Sequence, residues 1–148
     1  MARILVVDDE AAIRELITAI VEDEGHEVRQ ARDGVEALEA IIEDIPDLVV
    51  LDLAMPGMDG WKLLEELHAR GLRRQTRIVI VSANYDPSTA PHLHKSRVGH
   101  FLAKPFEPES LVQMIDEALL QNAEELYDKL DRVDHLARLI ERVDQVLS

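Results

Sequence analysis

The stretch ILVVDDE, residues 4–10, runs four aliphatic residues straight into three carboxylates, Asp8, Asp9 and Glu10. An apolar run without alternation is the pattern of a strand buried on both faces, as in a parallel sheet covered by helices. Such a strand delivers Asp8 and Asp9 to one edge of the sheet. Acids crowded there raise each other's pKa or need a counter-charge.

Outward from this strand, apolar runs and helical periodicity alternate. Ile13, Leu16, Ile17, Ile20 and Val21 recur at helical spacing, and Gly25 follows as a helix stop. EVRQA at 27–31 is a weaker, edge-like strand, and Val35, Leu38, Ile41 and Ile42 mark a second helix closed by Pro46. DLVVLD at 47–52 is a third strand. MPGMDG at 55–60 is a turn whose Asp59 caps a helix carrying Leu63, Leu64 and Leu67 up to Gly71. RIVIVS at 77–82 is the fourth strand, and HFLA at 100–103 the fifth, ended by Lys104 and Pro105. Between these two, ANYDPSTAPHLHKSRVG at 83–99 holds a helix that Pro87 and Pro91 keep short or displaced.

Strict alternation of strands and helices predicts an α/β, flavodoxin-like, doubly wound five-stranded parallel sheet in the order 2-1-3-4-5, with its crevice at the C-terminal ends of strands 1 and 3. That edge receives Asp8, Asp9, Asp52, Ser82 and Lys104. Singly, each has a plain structural explanation as a helix cap, a turn former, a strand end or a solvated charge. Their convergence on one edge is what such explanations fail to cover.

A chain of 148 residues with 47% hydrophobic and 31% charged residues suits one globular domain. It has no cysteine, which excludes disulfides and thiolate metal sites and favours a reducing, cytoplasmic setting. No apolar run approaches a membrane span or a signal-peptide core. The net charge of -14 weighs against direct nucleic-acid binding.

A hard divalent cation answers the acid cluster, and Mg²⁺ suits a few carboxylates combined with water and phosphate oxygens. With the Lys104 ammonium and the Ser82 hydroxyl, the crevice suits the oxygens of a phosphoryl group in transfer, and Asp52 is the carboxylate best placed to receive it.

VVDDE at 6–10, LDLAMPGMDG at 51–60, IVSA at 80–83 and FLAKPF at 101–106 resemble, in order and spacing, the motifs of receiver domains of two-component response regulators. The resemblance covers roughly residues 1–120. It implies that Asp52 is the phosphoacceptor, charged by a sensor histidine kinase or a small phosphodonor. It implies that Asp9, Asp52 and the Ala54 carbonyl bind Mg²⁺, with Asp8 acting through a coordinated water. Lys104, followed by a cis peptide to Pro105, would pair with the phosphoryl group. Ser82 would move toward the phosphoryl oxygens, and Phe101 would be the coupled aromatic. The chain would catalyse only its own phosphoryl transfer and dephosphorylation and would not otherwise be an enzyme.

Two other readings compete. A pseudo-receiver would use the same scaffold for dimerisation without phosphorylation, but it has no physical need for clustered acids. A phosphohydrolase resembling the haloacid dehalogenase class wants an Asp-x-Asp signature on its first strand, where this chain has the adjacent pair Asp8 and Asp9. His92, His94 and His100 lack the context of a zinc site.

From Glu109 to Ser148 there is neither Gly nor Pro. One unbroken helix of that length would reach about 60 Å, so part of it must project. Within residues 121–148, Leu126, Val133, Leu136, Ile140, Val143 and Leu147 follow alternating three and four spacing, with Lys129 the misfit. Leu130, Ala137, Leu139 and Val146 widen the stripe beyond a narrow seam. This extension is read as a coiled coil or bundle that joins copies of the chain into a homodimer or small oligomer, the alternative being that it folds back on its own domain. The chain is then either a complete single-domain regulator or the receiver end of a longer one.

Overall fold

The computed structural model describes residues 1–83, 98–120 and 122–147. The helix expected around Pro87 and Pro91, with Asn84, His92 and His94, lies outside the described residues. Strands β1 (Arg3–Val7), β2 (Glu27–Ala31), β3 (Leu48–Leu51), β4 (Arg77–Ser82) and β5 (Phe101–Ala103) form one parallel sheet in the order β2-β1-β3-β4-β5. Helices α1 (Ala11–Asp23), α2 (Gly34–Glu43), α3 (Gly60–Ala69), α4 (Pro108–Leu119) and α5 (Ala123–Leu147) accompany it, with a short 3-10 turn at Arg73–Gln75.

The unbroken apolar strands have a direct physical reason. Successive side chains point to opposite faces, and both faces are covered. Leu5 and Val7, Val49 and Leu51, and Ile78 and Ile80 enter a core with α2 and α3. Ile4 and Val6, Leu48 and Val50, and Val79 and Val81 enter a second core with α1 and α4.

Local signals bound the helices. Asp59, as the sequence predicts, accepts the Lys62 N–H at 2.8 Å and caps the start of α3, and Asp33, which the sequence reading does not single out, caps the start of α2 by accepting from Glu36. Gly25 stands just past α1 at φ +90°, a conformation that favours glycine.

Three expectations change. Leu16, Val35 and Ile42 are about half exposed, although their spacing marks them as core. In α2 the covered face is instead built on Gly34, Ala37, Leu38 and Ile41, because Gly34 lies against the Met58 backbone and draws that side of the helix inward. The run after Glu109 is not one helix: one helix ends at Leu119 and the next begins at Ala123, where the Asn122 carboxamide accepts the Glu124 N–H at 2.9 Å and starts α5 afresh. Finally, the opening of α5 does rest on the domain. Tyr127 and Asp128 meet Arg73 and Arg74, whereas Val133, Leu136, Leu139, Ile140 and Val143 are exposed as the helix projects.

Candidate functional site

The sheet register assembles the site. Val7 lies beside Leu51, Leu51 beside Ile80, and Ser82 beside Ala103. The residues that follow stay pinned by further backbone bonds: Asp8 N–H to Ala31 O, Asp52 N–H to Val7 O, and Lys104 N–H to Ser82 O. Asp8, Asp52, Ser82 and Lys104 therefore stand on rigid strand ends. The fifth expected residue, Asp9, is exposed beside them.

Asp8, Asp52 and Ser82 are almost completely buried, at 0%, 5% and 0% exposure. The Lys104 ammonium hydrogen-bonds Asp8 Oδ2 at 2.7 Å and lies 3.5 Å from Asp52 Oδ2. The other Asp8 oxygen accepts the Glu10 N–H at 2.9 Å. Here the counter-charge that the acid cluster requires is supplied by a lysine from the far end of the sheet.

Burial, the largest influence, raises the Asp52 pKa, and the Asp8 charge adds to it; Lys104, the Ala54 N–H and Ser82 offset part of the rise. Burial alone would lower the Lys104 pKa, but the Asp8 hydrogen bond and the fields of Asp52, Asp8 and Glu10 outweigh it and hold the ammonium above its ordinary value. The Ser82 hydroxyl, near enough to Asp52 to act on it, makes no hydrogen bond of regular geometry. A buried donor in that condition is poised for an acceptor arriving between Ser82 and Lys104.

One carboxylate oxygen from each of Asp8, Asp9 and Asp52 falls within a sphere where all lie within 4.8 Å of one another. An all-oxygen, anionic donor set with one exposed member fits a hard divalent cation that keeps some of its water. Ala54, the fourth residue expected at the metal, follows Asp52 in the same loop and donates its N–H to Asp52 Oδ1 at 3.3 Å. Phe101 is partly buried against the core shared with α2 and α3, and the Lys104–Pro105 peptide is cis.

Two supporting residues escape a reading of the sequence. Arg14 donates to the Asp8 carbonyl at 2.8 Å and to Gln30 at 3.1 Å, fixing the loop that carries the acids. Gly60 lets α3 approach β3 so closely that a Cβ there would stand 2.6 Å from the Asp52 carbonyl oxygen. The only hint of Arg14 is a cation placed in the first turns of a helix that follows an acidic loop.

Comparison with known proteins agrees with this geometry. The profile of the response regulator receiver domain matches residues 4–116. The DNA-binding response regulator MtrA of Mycobacterium tuberculosis (strain ATCC 25618 / H37Rv) is 36% identical over 132 residues, which is 89% of this chain and 57% of that protein. Thus the chain spans little more than half the length of that relative. The chemotaxis protein CheY of Bacillus subtilis (strain 168) is 36% identical over 118 residues, 79% of this chain and 97% of that one. Among solved structures, the chemotaxis response regulator CheY4 of Vibrio cholerae superposes with a TM-score of 0.74 at 29% identity, covering 80% of this chain and 99% of its own. NtrX from Brucella abortus superposes with a TM-score of 0.71 at 33% identity and covers 96% of this chain but 29% of its own. The chain belongs to the response regulator receiver family, as the receiver domain of a two-component response regulator followed by a projecting C-terminal helix.

Proposed function

We propose that this receiver is switched by phosphorylation of Asp52, with a histidine kinase as donor, and that it self-associates through α5. Asp52 would attack the donor phosphorus; the bond from phosphorus to the kinase imidazole breaks as an acyl phosphate forms on Asp52. Lys104 and the Ser82 hydroxyl bind the transferred phosphoryl oxygens, and Asp8 holds Lys104 in place until they arrive. Asp8, Asp9, Asp52 and the Ala54 carbonyl would hold Mg²⁺, which when bound neutralises the acids and the charge on the phosphoryl oxygens. The product adds about 1.5 to 2 negative charges beside Ser82 and Lys104 and so biases an existing two-state equilibrium, with Phe101 as its coupled aromatic. The chain acts on no separate substrate.

The observation that carries this reading is the position of Asp52, 5% exposed and 3.5 Å from the Lys104 ammonium, beside a Ser82 hydroxyl that lacks a regular hydrogen bond. The test is incubation with a small phosphodonor and Mg²⁺ followed by mass spectrometry. One acyl phosphate on Asp52 is expected; an unlabelled chain, or a label that survives Asp52→Asn, refutes the reading.

Self-association is supported by the five large aliphatic side chains of α5 that are 40–64% exposed. Burying what remains exposed of these side chains against a second copy removes apolar surface from water and so favours pairing. Light scattering of the whole chain and of the chain ending at 121 tests this: equal molar masses per chain would refute it.

A further inference from the structure

Two unlike halves make up α5. Its first turns are held by the domain: Tyr127 lies under the guanidinium groups of Arg73 and Arg74, 5.7 and 5.1 Å from its ring centroid, and Asp128 pairs with Arg74. Leu130 sits on Gly99 so closely that a Cβ on that glycine would stand 3.2 Å from a Leu130 methyl. Beyond Leu130, the aliphatic side chains from Val133 to Val143 are exposed. This division accounts for Lys129. It interrupts the apolar spacing within the docked half, where no helix partner is required.

The docking point lies at the N-terminal ends of two particular strands. Arg73 and Arg74 belong to the 3-10 turn that leads into β4, whose last residue is Ser82. Gly99 leads into β5, which ends immediately before Lys104. The lead-in to β5 is tied to β4 by the Ile80 N–H on the His100 carbonyl, at 2.9 Å. A relative shift of β4 and β5 that follows new contacts at Ser82 and Lys104 would therefore be felt at both footholds of the helix.

The projecting half suits a second copy of this chain. Residues 131–147 carry four carboxylates against three arginines in a protein of net charge -14, so two such segments meet with little of the repulsion that the domains themselves exert.

We infer that Tyr127, Asp128 and Leu130 form a clamp that couples the acid site to a self-association seam running from Val133 to Val143. The inference rests on the proposed phosphoacceptor site and on self-association, and adds the route between them. Linkage makes the coupling reciprocal: whatever occupancy of the site does to the seam, pairing of the seam does to the site.

The test uses the whole chain with beryllium fluoride and Mg²⁺ as the phosphoryl probe. Hydrogen exchange is followed in dilute, monomeric protein, and the dimer dissociation constant is measured by sedimentation. The expected result is altered exchange at 123–130 and a change of about fivefold or more in the dissociation constant. Arg74→Glu and Tyr127→Ala should still dimerise but respond less than twofold to the probe, and the swap Arg74→Glu with Asp128→Arg should restore the response. If exchange at 52–60 slows while 123–130 is unmoved, or if the clamp variants keep the full response, the coupling is wrong and the phosphoacceptor reading stands. If the probe protects nothing near Asp52, the phosphoacceptor reading fails and the coupling fails with it.

Discussion

Lys104, at the far edge of the described sheet, donates to Asp8 Oδ2 at 2.7 Å, 96 residues away in the chain. This bond holds two buried acids together and closes the site from strand β1 to β5. Replacing Lys104 by Met leaves Asp8 and Asp52 facing each other, and loss of one partner of a buried pair costs about 3–5 kcal/mol. Urea unfolding should show that loss without divalent ions, and added MgCl₂ should stabilise Lys104→Met more than the wild type. An equal Mg²⁺ increment in both proteins would contradict the picture. The raised Lys104 pKa also predicts that its contribution, full below about 10.5, is lost as pH rises through the folded value.

Asp52 titrates in the opposite sense to a carboxylate stabilised by a salt bridge. Because its folded pKa lies above 3.8, the native state holds the proton more tightly than the unfolded chain does. Its contribution is present below the unfolded value and is lost as pH rises through the folded one. Metal-free Asp52→Asn should therefore gain stability over the wild type between the acid range and pH 7. Paired unfolding curves across that range check this; parallel pH profiles would show that Asp52 is not the strained acid.

Gly60 is required by close approach. A methyl group there would stand 2.6 Å from the Asp52 carbonyl oxygen and 2.9 Å from the Leu53 Cα, both backbone atoms that cannot yield easily. Gly60→Ala should cost about 1–3 kcal/mol and, by displacing Asp52, slow labelling from a small phosphodonor. Thermal unfolding and labelling rate, measured on one preparation, separate the two effects.

Ile140 is 64% exposed on the projecting half of α5. Ile140→Asp places a charge on the proposed seam and should weaken the dimer by tenfold or more, since each 1.4 kcal/mol is a factor of about ten. The melting temperature should scarcely change, because the side chain touches little of its own domain. Light scattering across a concentration series gives the first number and calorimetry the second.

Much of the fold was legible because β1, β3 and β4 are buried on both faces, which leaves an unmistakable apolar run for each. β1 and β3 run directly into Asp8 and Asp52, β4 ends at Ser82 and β5 runs into Lys104, so the four could be gathered on one edge before any geometry was known. Contacts between distant segments were not legible. Nothing local announces that Arg14 will hold the Asp8 carbonyl, or that Tyr127 will settle against Arg73 and Arg74. The fresh start of α5 did carry a signal in Asn122, a good helix initiator, but the absence of Gly and Pro obscured it. Val35 and Ile42 misled because helical spacing identifies a stripe without saying how a nearby glycine rotates it.

The outer strands of the described sheet have a consequence for handling the protein. β2 presents Glu27, Arg29 and Gln30, and β5 is only three residues long with Pro105 soon after it. Neither margin offers a long, flat, greasy template for a neighbouring backbone. Concentrated solutions should therefore cluster through helical rather than amyloid-like contacts, giving assemblies that dissolve on dilution instead of fibres.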